Sequence, residues 1–156
     1  MKARKKTAPR KLSSRLVGTW SLLTREDRTP GGELRVEPGL GSDPIALLNF
    51  DRAGHFAAQF MKRDRGTIVP EAVTATAVPN NSRSRAGYDA YFGTYRVDEG
   101  RSTVATTLTG ALSPENVGQT FTRHMSVAAD KLTIRLETAS TTGEPIIRTL
   151  CWKRVG

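Results

Sequence analysis

Leu16-Val17-Gly18-Thr19-Trp20-Ser21-Leu22-Leu23 is the stretch on which the reading of this chain turns. Residues two apart on a pleated strand face the same side, so Gly18 and Trp20 share a face. Glycine lets the backbone bend closely over its neighbours. The tryptophan is large enough to plug the closed end of a small barrel. A core strand carrying one tryptophan is the plainer alternative, and the pattern downstream decides between them.

Residues 45–61 read as a hairpin. Asp51-Arg52-Ala53-Gly54 fits a type I turn followed by a glycine in the left-handed region, which sets Asp51 opposite His55. One face then carries Ala46, Leu48, Phe50, Phe56, Ala58 and Phe60, all apolar. The other is mixed, with Ile45, Leu47, Asn49, His55, Ala57, Gln59 and Met61. One register serves the whole hairpin, so the apolar face points inward. A block from Gly87 through Tyr95 runs into Val97, and further strands follow at 102–110, 118–128, 131–138 and 145–155. Turns at Asp98-Glu99-Gly100, Ala129-Asp130 and Thr142-Gly143-Glu144 separate them. This makes about eight strands and almost no helix. The fold class is all-β, a single antiparallel up-and-down barrel that removes exposed edges by closing on itself, with a sandwich as runner-up. Arg25 to Asp43, rich in Gly, Pro and charge, reads as a long loop beside the mouth. Lys62 to Ala90 reads as a lid segment between strands.

The 156 residues suit one domain with a real core. The formal net charge of +9 is unevenly spread. Residues 1–15 hold Lys2, Arg4, Lys5, Lys6, Arg10, Lys11 and Arg15 with no acid, which leaves 17 of the 24 basic residues against 15 acidic ones. Residues 1–15 therefore read as a basic disordered tail and 16–156 as the folded domain. The chain shows neither a secretory apolar run nor a stretch able to span a bilayer. The lone Cys151 suits a reducing cytoplasm.

Inward residues alternate along barrel strands. The apolar phases choose Tyr91, Gly93, Tyr95 and Val97, then Val104, Thr106 and Leu108, then Phe121, Arg123, Met125 and Val127. They continue through Leu132, Ile134 and Leu136, and end on Ile146, Leu150 and Trp152, which carry Arg148 with them. Arg123 stands between Phe121 and Met125, so its guanidinium points into an apolar interior. Burying a lone charge costs several kcal/mol, so it needs a partner. None of these inward positions is acidic, which leaves a ligand anion, or the phenols of Tyr91 and Tyr95 with water. A phase slip that puts Arg123 at the rim is the alternative. Tyr91 and Tyr95 are candidates to hydrogen-bond a ligand carbonyl. With Arg123 lowering a phenol pKa from about 10, they are also candidate acid and base at an enolisable carbon. Amphipathic core residues are the plainer reading. The expected ligand-binding set is Phe56, Ala58, Phe60, Tyr91, Tyr95, Leu108, Phe121, Arg123 and Met125. His55 and His124 fall on mixed faces, and neither zinc-ligand spacing nor a phosphate loop is present. No Ser/His/Asp arrangement and no paired inward carboxylates are legible. Neither metal nor cofactor is expected.

The Gly-x-Trp strand, Gly54 to Met61, and Gly87-Tyr88-Asp89-Ala90-Tyr91-Phe92-Gly93-Thr94-Tyr95 occur in an order that resembles the bacterial and fungal lipocalin-like domain family. Ser113-Pro114, Gly118, Arg123 and His124 extend the resemblance over about 16–156. Asn80 to Arg85 departs from it, standing where the family has an alanine- and acid-rich helix. The resemblance implies a small calycin-type barrel with Trp20 sealing its floor and a basic side chain of the last strand, Lys153 or Arg154, packed over the ring. It also implies a place in specialised metabolism, where some relatives fold a polyene or keto substrate into a reactive shape.

The leading functional expectation is a barrel holding a small, largely hydrophobic ligand with a carbonyl or acidic group. The alternative is a cofactor-independent cyclase or isomerase using the same cavity, where orientation supplies much of the acceleration. A nucleic-acid module acting through the basic tail is the outsider, because the aromatics lie on the apolar phase and the body is nearly neutral. No sequence-specific nucleic-acid partner and no membrane partner are expected.

Overall fold

Gly18 begins a strand of eleven residues, β1 (Gly18–Arg28), that closes a barrel on both of its edges. The computed structural model describes residues 8–66 and 83–156. After β1 come the two-residue β2 (Leu34–Arg35), β3 (Ile45–Phe50), β4 (His55–Met61), β5 (Tyr88–Asp98), β6 (Thr103–Ala111), β7 (Thr120–Ala128), β8 (Lys131–Ala139) and β9 (Pro145–Arg154). From β3 onward each strand pairs antiparallel with the next, and β1 pairs with both β3 and β9. Eight strands thus form the barrel, and β2 adds a short flap on β1 through Asp27–Arg35 and Arg28–Leu34.

The inward phases are as expected. Ala46, Leu48, Phe50, Phe56, Ala58 and Phe60 are all buried, as are Val104, Thr106, Leu108, Met125, Leu132, Ile134, Leu136, Leu150 and Trp152. In the β3–β4 hairpin, the Asp51 amide donates to the His55 carbonyl at 2.9 Å and the His55 amide donates to Asp51 Oδ1 at 2.8 Å.

Two boundaries differ from the sequence reading. The first strand does not stop at Leu23. A bulge between Leu22 and Thr24 lets β1 bend, and Arg25 to Arg28 continue as strand because Leu150 to Ile147 of β9 supply their partners. The Gly- and Pro-rich composition that marked a loop begins only at Pro30. Just ahead of β1, α1 (Leu12–Leu16) is a single helical turn that begins within the stretch read as tail. Its Leu12 and Ser13 amides donate to the Glu99 carboxylate at 2.8 and 3.0 Å, and Leu16 is fully buried. Residues 1–7 of the tail and 67–82 of the lid segment lie outside the described residues.

Trp20 closes the floor. It is fully buried, and its indole Nε1–H donates to the Leu16 carbonyl at 2.8 Å. The Arg154 guanidinium lies 4.2 Å above the ring, donating from Nη1 to the Val17 carbonyl at 2.6 Å and from Nη2 to the Arg15 carbonyl. Gly18 sits at φ +140°, and a Cβ there would strike Arg154 Nη1 and the Gly156 carbonyl. The strand needs glycine because the arginine over the tryptophan occupies that space. This end also carries α1 and the turns 51–54, 98–102 and 129–130, so the barrel opens at the opposite end, between the longer connections.

Candidate functional site

The barrel encloses a cavity of about 1520 Å³ that opens at that end. The β3–β4 hairpin turns Leu48, Phe56, Ala58 and Phe60 onto its wall, and β7 to β9 add Met125, Ile134, Leu150 and Trp152. The aromatic rings lock one another. Phe60 stacks on Tyr91 at 6.3 Å between centroids, and Trp152 meets Phe60 edge-on at 5.7 Å. These contacts fix the shape of the apolar wall, since aromatic pairs favour such offset and edge-on arrangements.

Charge enters along the seam of β9 and β1. Arg148 Nε donates to Asp27 Oδ1 at 2.7 Å and Nη2 donates to Oδ2 at 2.8 Å. Both side chains are only 6% exposed. Two residues away on β1, Arg25 Nη1 contacts Glu37 Oε2 at 3.3 Å. Glu37 also accepts from the Gly39 and Leu40 amides at 2.7 and 2.9 Å, which folds the loop after β2 over the mouth. Burial pushes the Arg25 guanidinium below its ordinary pKa, Arg148 adds to that, and Glu37 and Asp27 oppose it. Arg123 lines the same cavity, its guanidinium 5.4 Å from the centre of the Phe121 ring. The ends of the lid segment are anchored beside the opening. Arg85 pairs with Glu115 at 3.3 Å and approaches Ser113 Oγ at 3.4 Å, while Arg65 lies 5.7 Å over Tyr88.

An antiparallel eight-stranded barrel, a tryptophan-sealed floor under an arginine of the last strand, and one cavity open at the far end are the geometry against which known families can be compared. Residues 17–155 match the family of the lipocalin-like domain. The chain belongs to that family. No curated protein matches it.

Of the residues expected to bind ligand in this lipocalin-like barrel, the structure brings Phe56, Ala58, Phe60, Tyr91, Arg123 and Met125 together on the cavity wall. It places Tyr95, Leu108 and Phe121 outside the lining. Leu108 is fully buried in the core, and Phe121 backs Arg123. Tyr95 lies near the closed end, its hydroxyl donating to the Asp51 carbonyl at 2.6 Å and its ring edge-on to Phe50 at 4.9 Å. Burial, and then the Asp51 charge, raise its pKa above 10.0, opposite to the lowering expected from Arg123. Alternation along β5 gives the face of each residue but not its height. The strand runs from the mouth at Asp89 to the floor at Asp98, so only its first part faces the cavity.

The expectation that no inward position is acidic is corrected by Asp27 and Asp89, buried to 6% and 3% exposure and both lining the cavity. Asp27 was hidden because Arg25 to Arg28 read as loop. Asp89 was legible, standing two residues before Tyr91 on the same face. Among the described residues no group of three His, Cys, Asp or Glu side chains could hold a metal ion, and no helix is long and apolar enough to cross a membrane. His55 is exposed beside Asp51 at 3.2 Å, and Cys151 is half-buried as a free thiol.

Proposed function

We propose that this lipocalin-like barrel holds a small, largely hydrophobic molecule bearing a carboxylate, enolate or carbonyl group, and that Arg123 reads that group. The observation that carries the reading is the place of Arg123, a cation on the stretch of cavity wall that also carries Phe56, Phe60, Met125, Ile134 and Leu150. Ligand sites of this size are mostly apolar with a few placed polar groups that set orientation. The buried Asp27–Arg148 pair neutralises its own charges, which keeps the seam of the barrel compatible with an apolar occupant. Specialised metabolism is the setting that the family resemblance favours, and a cytoplasmic location fits the lone Cys151.

A cofactor-independent cyclase or isomerase is the second reading. Asp89 and Tyr91, both buried on one face of β5, favour it, since a carboxylate and a phenol are groups that proton transfer at an enolisable carbon requires.

Native mass spectrometry of protein purified from its own host, followed by titration with a fluorescent fatty acid, tests the proposal. One co-purifying apolar molecule with an acidic or carbonyl group, displaced by the probe, is the expected result. No binding of any apolar probe would overturn it. Conversion of a bound keto compound by wild type but not by Asp89→Asn, with binding retained, would favour the enzyme.

A further inference from the structure

A second cleft, of about 340 Å³, lies at the closed end of the barrel, away from the cavity mouth. Arg10, Arg15, Arg52 and Arg154 converge on it with Ser14, and among the described residues no carboxylate lines it. Four parts of the chain build it: the residues around α1, the β3–β4 turn, the end of β7 with Ala129, and the end of β9. Arg154 is held rigidly by the Val17 and Arg15 carbonyls and the Trp20 ring, whereas Arg10, Arg15 and Arg52 enter no ion pair among the described residues.

The wider charge balance at this end points the same way. Among the described residues, Arg10, Lys11, Arg15, Arg52, Arg101, Lys131, Lys153 and Arg154 lie in its segments, against Asp51, Asp98, Glu99 and Asp130. Three of those acids are already engaged, Asp51 with His55, Asp98 with Arg101, and Glu99 with the α1 amides. The sequence ahead of Ala8 adds Lys2, Arg4, Lys5 and Lys6 with no acid. The rest of the chain holds twelve basic against eleven acidic residues, so nearly all of the net charge belongs to this end and its leader.

We propose that the closed end is a docking site for the phosphodiester backbone of a nucleic acid, bound without reading of bases. Guanidinium groups match phosphate oxygens two at a time, which suits a cleft where Arg10, Arg15 and Arg52 enter no ion pair among the described residues and Arg154 adds its positive charge. A single anion would fill the cleft and leave the exposed Lys11, Lys131 and Lys153 of this end unused. A polymer with a phosphate at every repeat engages both. No aromatic ring is exposed at this end among the described residues, so stacking on bases has no platform, and contacts are to the backbone. Apart from Val155, no large apolar side chain among the described residues is exposed there to enter a lipid surface, which makes a membrane the weaker partner. The site is independent of whatever occupies the cavity.

The test uses the full chain and a labelled DNA duplex of random sequence, followed by fluorescence anisotropy across a salt series. Wild type should bind at low salt, with log K falling linearly in log salt at about 0.9 per phosphate contacted. Arg10→Gln with Arg52→Gln should reduce that slope by about two, on the same per-contact scale. Arg63→Gln with Arg135→Gln, exposed away from the closed end, removes the same charge and should leave the slope unchanged. Removing residues 1–7 should weaken binding while preserving the effect of the Arg10/Arg52 pair. An unchanged slope in that pair, equal losses in both pairs, or no DNA binding at low salt would overturn the proposal. So would binding to phosphatidylserine vesicles in place of DNA.

Discussion

Arg148 grips both carboxylate oxygens of Asp27 inside the barrel, joining the last strand to the first through two side chains as well as through the sheet. Removing one partner strands the other charge in a nearly dry site, which typically costs about 3–5 kcal/mol. We therefore expect Asp27→Asn to lose about that much in urea melts. Replacing both, Asp27→Leu with Arg148→Met, should recover most of the loss, because apolar packing often substitutes for a buried pair. A single-variant loss below about 1 kcal/mol would show that the pair is not needed to hold the seam.

Trp20 carries two separable roles, volume and a hydrogen bond to Leu16. Trp20→Ala should cost about 3–5 kcal/mol, as for other large buried aromatics. Trp20→Phe keeps most of the ring and loses the bond, so its cost beyond the smaller volume should be about 1 kcal/mol. Equal losses in the two variants would contradict the floor-plug role.

The link between α1 and Glu99 makes stability depend on pH. The Ser13 side-chain and amide hydrogen bonds, with the Leu12 amide, hold the Glu99 pKa below its ordinary 4.5. A carboxyl with a depressed folded pKa contributes stability that is fully present above its unfolded value and is lost as pH falls through the folded one. Denaturant midpoints of wild type should thus exceed those of Glu99→Gln at neutral pH. The gap should narrow as pH drops below 4.5. A gap independent of pH would place the effect elsewhere.

Gly93 lies at the register shift between β5 and β6, where the two backbones approach closely. A Cβ there would enter the Thr107 carbonyl oxygen and come within 2.9 Å of the Thr109 amide nitrogen. Both are backbone, so neither can swing aside. Gly93→Ala should destabilise the barrel by more than the ordinary 0.5–1 kcal/mol scale of glycine–alanine exchanges, and in the opposite direction to the usual gain in a strand. A melt as stable as wild type would refute this packing.

The barrel was legible in the sequence because alternation fixes which way each residue faces, and the Asp51–Gly54 turn pinned one register firmly. Height along the barrel was not legible. Tyr95 shares a face with Tyr91 yet sits near the floor, and Leu108 and Phe121 lie behind the wall instead of on it. Asp27 was missed for a different reason. Its strand continues through Arg25, Glu26, Asp27 and Arg28, a charged run that reads as loop until β9 is known to lie alongside. The α1 turn escaped notice too, since Leu12 and Leu16 are the only apolar anchors in a basic stretch and their partners are distant in sequence.

The measurement that bears most directly on the cavity is competitive displacement of a fluorescent fatty acid by an apolar acid and by its neutral ester, for wild type and Arg123→Met. If Arg123 reads the acidic group, the variant should lose about 1.5–3 kcal/mol toward the acid, the range for a charge-assisted hydrogen bond. Its affinity for the ester should hardly change. Equal losses for acid and ester would contradict the account, showing Arg123 to be a prop of the wall with no part in recognising charge.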